Sequence, residues 1–154
     1  FVLAGWTAQS IIGWRSGFPL NIVTGRDNIG NGRPDGQRPD SVAGQDQYID
    51  SADRLLRLNR NAYDSAVVQR ERRFGTLGYN TVSGLGAFTW DGSLSKVFQI
   101  NEHHRVSFRF EAFNWLNHTA LGNPSSNLSD GNFGRITGIA VEPRNIQFGL
   151  KYNF

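Results

Sequence analysis

Apolar and polar side chains alternate with a period of two in four separate stretches of this 154-residue chain. The last stretch is the plainest. In "NIQFGLKYNF", Ile146, Phe148, Leu150, Tyr152 and Phe154 share one parity, and Asn145, Gln147, Gly149, Lys151 and Asn153 share the other. A strand sends successive side chains to opposite faces, so the alternation predicts a ribbon with one apolar and one polar face. The first stretch is "GWTAQSIIGW" with its continuation "RSGFPLNIVTG", residues 5–25, and it aligns Trp6, Ala8, Ser10, Ile12 and Trp14. Gly17 and Pro19 predict a bulge or kink within it. The second, "AFTWDGSLSKVFQI" (87–100), sets Phe88, Trp90, Leu94 and Phe98 against Thr89, Asp91, Ser93, Ser95 and Gln99, with Lys96 on the apolar side. The third, "RVSFRFEAFNWLNH" (105–118), sets Val106, Phe108, Phe110 and Ala112 against Ser107, Arg109 and Glu111. Its parity slips at Phe113 and Trp115, which fits either a strand end or a bulge.

The connections between these strands are unequal. A short turn, "NEHH", joins the second to the third, whereas about 60 residues follow the first strand and about 25 follow the third. Both long links are rich in Gly, Asn, Asp, Ser and Pro, as loops are. Inside the longer one, "DSADRLLRLN" is expected to form one or two helical turns capped by Ser51 or Asp50.

Two environments would accept the apolar faces. In a soluble sandwich they meet across a core. In an outer-membrane barrel they face lipid while the polar parity faces a wet lumen. Three features favour lipid. The strands run for about 10 to 14 residues, as a tilted spanning strand requires, against five or six in most sandwiches. Trp6, Trp14, Trp90, Phe98, Tyr152 and Phe154 sit toward strand ends, where rings reach the headgroup level. Long and short connections alternate. The expected fold is therefore all-β: antiparallel up-and-down strands, about four of them, forming the C-terminal part of a large transmembrane barrel with long loops. If the short turn is periplasmic, Phe154 ends on the periplasmic side. Four strands cannot close a barrel, and the chain has no methionine, so residues 1–154 are expected to be a fragment that begins within a strand at Phe1.

Composition narrows the chemistry. With no cysteine there are no disulfides, thiolate metal sites or cysteine nucleophiles. The formal charge is +3, and the basic residues are 14 Arg and 2 Lys. Acidic residues are mixed among them, and only "RERR", Arg70 to Arg73, is a tight basic cluster. A solvated surface or a contact to lipid phosphates accounts for it. Nucleic acid is not an expected partner, since no strand interleaves stacking aromatics with basic residues.

The terminal "QFGLKYNF" resembles the assembly signal of bacterial outer-membrane proteins, with Gln147, Gly149, Tyr152 and Phe154 in its four places. The barrel-assembly machinery reads such a strand by edge pairing. The wider chain resembles the C-terminal end of a TonB-dependent receptor of the Oar-like kind, which carries a carboxypeptidase-regulatory-like N-terminal domain. The matching stretches are "GW…QSIIGWRSGFPLNIVTG", "GSLSKVFQI", "RVSFRFEAFNWLNHTALGNP", "NFGRIT" and "PRNIQFGLKYNF", with a looser match in "LNRNAY…FGTLGYNTVSGLG". The resemblance implies location in the bacterial outer membrane and import of a large solute such as a siderophore, oligosaccharide or peptide. It also implies lipid as a partner, and coupling to the TonB complex through an absent plug and N-terminal part. A non-transporting barrel or adhesin is the alternative, and a soluble β-sandwich binding module a weaker one.

Other motifs point to little chemistry. His103 and His104 fall in a turn, and His118 is expected at the opposite membrane face, so no metal is expected. "DNIGNGRPDG", Asp27 to Gly36, has the look of a calcium loop but lacks a ligand at its third position and a late bidentate Glu. Ser10 and Ser16 offer no nucleophile elbow, and Gly30, Gly32 and Gly36 precede no helix that would bind phosphate. Arg109 and Glu111 are candidates to line a solute path or to pack against a plug. Neither enzymatic activity nor a cofactor is expected.

Overall fold

Backbone register carries all four apolar parities to the same side of one sheet. The computed structural model describes residues 4–154; the expected strand start at Phe1 lies outside the described residues. In chain order the elements are β1 (Trp6–Arg15), β2 (Pro19–Leu20), β3 (Asp40–Ser41), a 3-10 turn (Arg60–Ala62), β4 (Tyr63–Asp64), α1 (Ala66–Glu71), β5 (Val82–Ser83), β6 (Ala87–Gln99), β7 (Arg105–Phe113) and β8 (Asn145–Asn153). They divide between two compact units. One holds residues 4–15, Ala87–Ala120 and Ile139–Phe154, and the other holds Ser16–Gly86 and Leu121–Gly138.

The first unit is an antiparallel sheet in the order β1-β6-β7-β8. Antiparallel partners point to the same face. Ile12 stands opposite Trp90, Ala8 opposite Leu94 and Trp14 opposite Phe88. Leu94 in turn stands opposite Phe110, and Phe98 opposite Val106, while Phe110 meets Phe148 and Phe108 meets Leu150. The polar parities register equally well, with Ser93 opposite both Gln9 and Glu111 and Glu111 opposite Gln147. The apolar face is not a dry interior: Trp14 is 79% exposed, Phe148 71% and Leu150 76%. A soluble sandwich would have buried these side chains against a second sheet, and that alternative is set aside. Phe148 on β8 meets both Phe108 and Phe110 on β7, with centroids 6.5 and 5.2 Å away.

The short turn between β6 and β7 is held by Asn101. Its Oδ1 accepts the N–H groups of His103 (3.0 Å) and His104 (2.8 Å), and Ile100 N–H donates to the carbonyl of His104. At the other end of β7 the parity slip is a strand end. Phe113 makes the last pair, with Asn145, and Asn114 then turns the chain at φ 52°. Asn is among the few side chains that accept this left-handed conformation.

The first strand is shorter than its sequence pattern suggests. It stops at Arg15, and the continuation leaves the sheet. Pro19–Leu20 pairs with Val82–Ser83 instead. Pro19 has no N–H to offer a central ladder, and Gly17 runs so close to Gly84 that a Cβ would stand 1.8 Å from its carbonyl oxygen.

The two long connections are not loose. Together they make the second unit, whose core is Ile22, Leu58, Ala62, Tyr63, Leu77, Val82, Leu128 and Phe133. Burying the Ile, Leu, Val and Phe side chains among them stabilises by about 1.5–3 kcal/mol each. Tyr63 and Phe133 meet edge to face at 5.7 Å. Bridges Val23–Asn127, Leu56–Arg135 and Ser125–Phe133 join the segments. The helix expected at residues 50–59 is absent. There Ser51 Oγ accepts Asp53 N–H and Asp53 Oδ1 accepts Leu55 N–H, so local side chains hold turns that compete with a helix. The helix lies further on, at Ala66–Glu71, where Asp64 Oδ1 accepts the N–H groups of Ala66 and Val67. Among the described residues no helix is long and apolar enough to cross a membrane.

Candidate functional site

The polar face of the sheet gathers charge. Arg109 Nη2 lies 2.7 Å from Glu111 Oε1, and Ser93 Oγ lies 3.4 Å from Gln9 Oε1. These four, with Asp91, line a shallow depression of about 130 Å³. Arg109 and Glu111, expected on one face, are thus paired to each other. Gly149 stands opposite Arg109 and Gln147 opposite Glu111. A hydrated strip of this kind suits a water-filled lumen.

The apolar face carries aromatic groups at both ends. At the end near the short turn, Lys96 lies opposite Trp6. Its Nζ is 4.8 Å from the Trp6 ring centroid and 4.9 Å from that of Phe98. Two rings therefore cover the Lys96 cation, an arrangement that attracts charge to the ring faces. Tyr152 is at the same end. Its Oη is 2.7 Å from His104 Nδ1, and the two rings are within 7° of parallel. Phe154 packs on Tyr152 at 5.8 Å. At the opposite end stand Trp14, Phe88 and Trp90, with Trp90 Nε1 donating to Ser10 Oγ at 2.7 Å.

Two residues that the sequence left unassigned organise this end. Asn114 is buried. It donates its N–H to Asp91 Oδ1 (2.8 Å) and its Nδ2 to the Glu142 carbonyl (2.8 Å), and its Oδ1 accepts His118 N–H (2.9 Å). Trp115 then folds back. Its N–H reaches the Trp90 carbonyl, and its ring lies over Gly92 and edge-on to Phe110 at 5.8 Å. The parity slip at Phe113 was the only sequence sign of this turn.

In the second unit, the calcium-like loop closes on itself. Asp27 accepts backbone N–H groups from Gly30 (2.9 Å), Asn31 (3.1 Å) and Gly32 (2.7 Å), and Nε2 of Gln37 (2.9 Å). These donors, the Gln37 amide first, hold the Asp27 carboxyl below its usual range. They present hydrogens to the carboxylate and close the loop around it. Among the described residues no group of three His, Asp or Glu side chains is placed to hold a metal.

The basic cluster is largely neutralised. Arg73 makes two bonds to Asp40, at 2.9 and 2.6 Å, and one to Glu71 at 2.6 Å. That bidentate pair brings the Asp40 carboxyl down to about 2. Arg72 is the left-handed residue ending α1. Burial pushes the Tyr63 hydroxyl up to about 12. A cleft of about 320 Å³ opens between Tyr48, Arg57, Ser83, Gly84, Leu85 and Pro124.

A family model described as an outer membrane beta barrel domain matches residues 1–147. No curated protein and no solved structure matches the chain. The matched stretch stops at Gln147, so Gly149, Tyr152 and Phe154 lie beyond it.

Proposed function

We propose, from the premise that this chain belongs to the outer membrane beta barrel domain family and so resides in the bacterial outer membrane, that it is the C-terminal part of a TonB-dependent receptor importing a large solute. One observation carries the proposal. The sheet has an uncovered apolar face and a charged polar face, while its two long connections fold into a unit with a core of its own. Lipid takes the first face, water in the lumen takes the second, and the folded unit serves as a capture surface outside the cell. The "EAFNWLNH…FGRIT" run and the terminal "QFGLKYNF" support the Oar-like reading. On this reading the Asn101 turn is periplasmic, and the outer edges of β1 and β8 pair with further strands, because hydrocarbon tolerates no open edge. A plug and TonB box upstream couple uptake to the inner membrane, and the assembly machinery reads Gln147, Gly149, Tyr152 and Phe154.

Comparing the medium of cells with and without the intact gene tests this. A solute should disappear only where the protein is present and the inner membrane is energised. Equal depletion by both strains, or depletion insensitive to an uncoupler, would overturn the transporter in favour of a non-transporting barrel or adhesin.

A further inference from the structure

The arginines of the second unit divide by what they touch. Arg73 is held by Asp40 and Glu71, and Arg135 by Asp53 at 2.6 Å. Arg60 caps the carbonyls of Leu128 and Asp130. Arg38 bonds the Leu77 carbonyl and lies 3.8 Å over the Tyr79 ring. Arg57 is set apart by its place. It lines the 320 Å³ cleft; its backbone is bonded to Ile49 and Gly134, and its guanidinium, like those of Arg26, Arg33, Arg54 and Arg72, makes no side-chain bond or ion pair among the described residues. No Asp or Glu lines that cleft.

Its other walls have a definite chemistry. Tyr48 is 46% exposed, yet its hydroxyl is fixed, accepting Ser83 N–H at 2.7 Å. The phenol ring is thereby an anchored platform rather than a free rotor. Leu85 and Pro124 are apolar. Gly84 keeps the wall low, since a Cβ there would strike the Asn123 amide at 2.1 Å. A lone guanidinium favours a planar carboxylate, which it meets with two parallel bonds. An anchored ring with apolar neighbours favours a flat body against it. The volume lies at the small end of ligand sites, roughly 300 Å³, which is room for one ring and not for a whole large solute.

We propose that this cleft binds a carboxylate carried on a six-membered ring, as the terminal group of the solute. The proposal deepens the reading of the second unit as a capture surface and rests on it. Sugar acids and aromatic acids share this chemistry, so both serve as probes. The intact protein in detergent is titrated calorimetrically with D-glucuronate, benzoate and the neutral sugar D-glucose. At least one carboxylate should bind, and glucose should bind at least tenfold more weakly. Arg57→Gln should weaken the carboxylate tenfold or more, with Arg57→Lys intermediate. Preference for glucuronate identifies a sugar acid, and preference for benzoate an aromatic acid; either supports the assignment. If no carboxylate binds, if glucose equals glucuronate, or if Arg57→Gln binds as the wild type does, the cleft is not an acid site. The wild-type comparison of glucuronate with glucose needs no variant, so a misfolded mutant leaves the test intact. Carboxylate binding without energised uptake sinks the transporter alone. Energised uptake without Arg57-dependent binding sinks only the ligand class.

Discussion

The indole of Trp115 roofs Gly92: a Cβ on the glycine would stand 3.3 Å from Cε3 of the ring. Gly92 is flanked in register by Ser10 and Ala112, so three small residues make a trough across three strands. The ring that fills it comes from beyond the end of β7. Replacing Gly92 by Leu should expel the indole and cost about 1–3 kcal/mol, the usual range for overpacking. Trp115→Ala should cost a similar amount, and the double variant should cost less than the sum, because both changes break one contact. Urea unfolding in micelles measures all three; strict additivity would show that the ring does not depend on the glycine.

Arginine placed on the two parities should separate them. Phe148→Arg and Phe108→Arg put a cation on the apolar face and should cost about 2–4 kcal/mol near the bilayer midplane. Gln147→Arg and Ser107→Arg fall on the polar face and should cost no more than about 1 kcal/mol. Folding into lipid vesicles gives the comparison. Equal losses on both parities would contradict the assignment of the faces.

Acid should weaken the second unit through Asp40. Arg73 lowers that carboxyl from 3.8 to about 2, so the folded state releases the proton more readily than the unfolded chain does. The pair's contribution is complete above pH 4 and fades as pH falls toward 2. Carboxyl NMR of the wild type should show the low midpoint, and Arg73→Gln should return it toward 3.8. An unchanged midpoint in the variant would mean that the Thr76 backbone bond, not the guanidinium, sets it.

Removing the last residue should act on assembly rather than on the finished fold. Phe154 is 89% exposed, and among the described residues its ring contact is with Tyr152. A chain ending at Asn153 should melt within a few degrees of the full chain, yet accumulate more slowly in the outer membrane of growing cells. Normal barrel levels in a pulse-chase would remove the case for an address at the terminus.

How far the sequence could be read follows from what each region must satisfy. Facing lipid on one side imposes period two on every residue, so Ile146, Phe148 and Leu150 announce their face without any tertiary knowledge. The second unit obeys no such period. Its core joins Ile22, Leu58, Val82 and Phe133 from four places in the chain, and Asp27, Gln37 and Asn59 satisfy backbone groups that a regular ladder would have served. Loop composition was legible there, but not the packing. The misplaced helix has the same origin: "RLLRL" looks helical, but Leu58 is needed in the core and Leu56 in a bridge to Arg135. The cleft around Arg57 draws on Tyr48, Ser83 and Pro124, which no spacing rule connects. Lys96 ran against its parity, and the rings of Trp6 and Phe98 lie over the cation there.

The second unit is stitched from segments that the β6–β7 hairpin separates along the chain, and its contacts reach from Gly25 to Ser129. Closing so long a span costs entropy before any contact repays it, and high contact order slows folding. During export, Ile22, Leu58 and Val82 cross the periplasm with Leu128 and Phe133 still to follow. Until those last segments arrive, the apolar side chains of the half-made core stay open to water, so this unit is the slow and exposed part of folding.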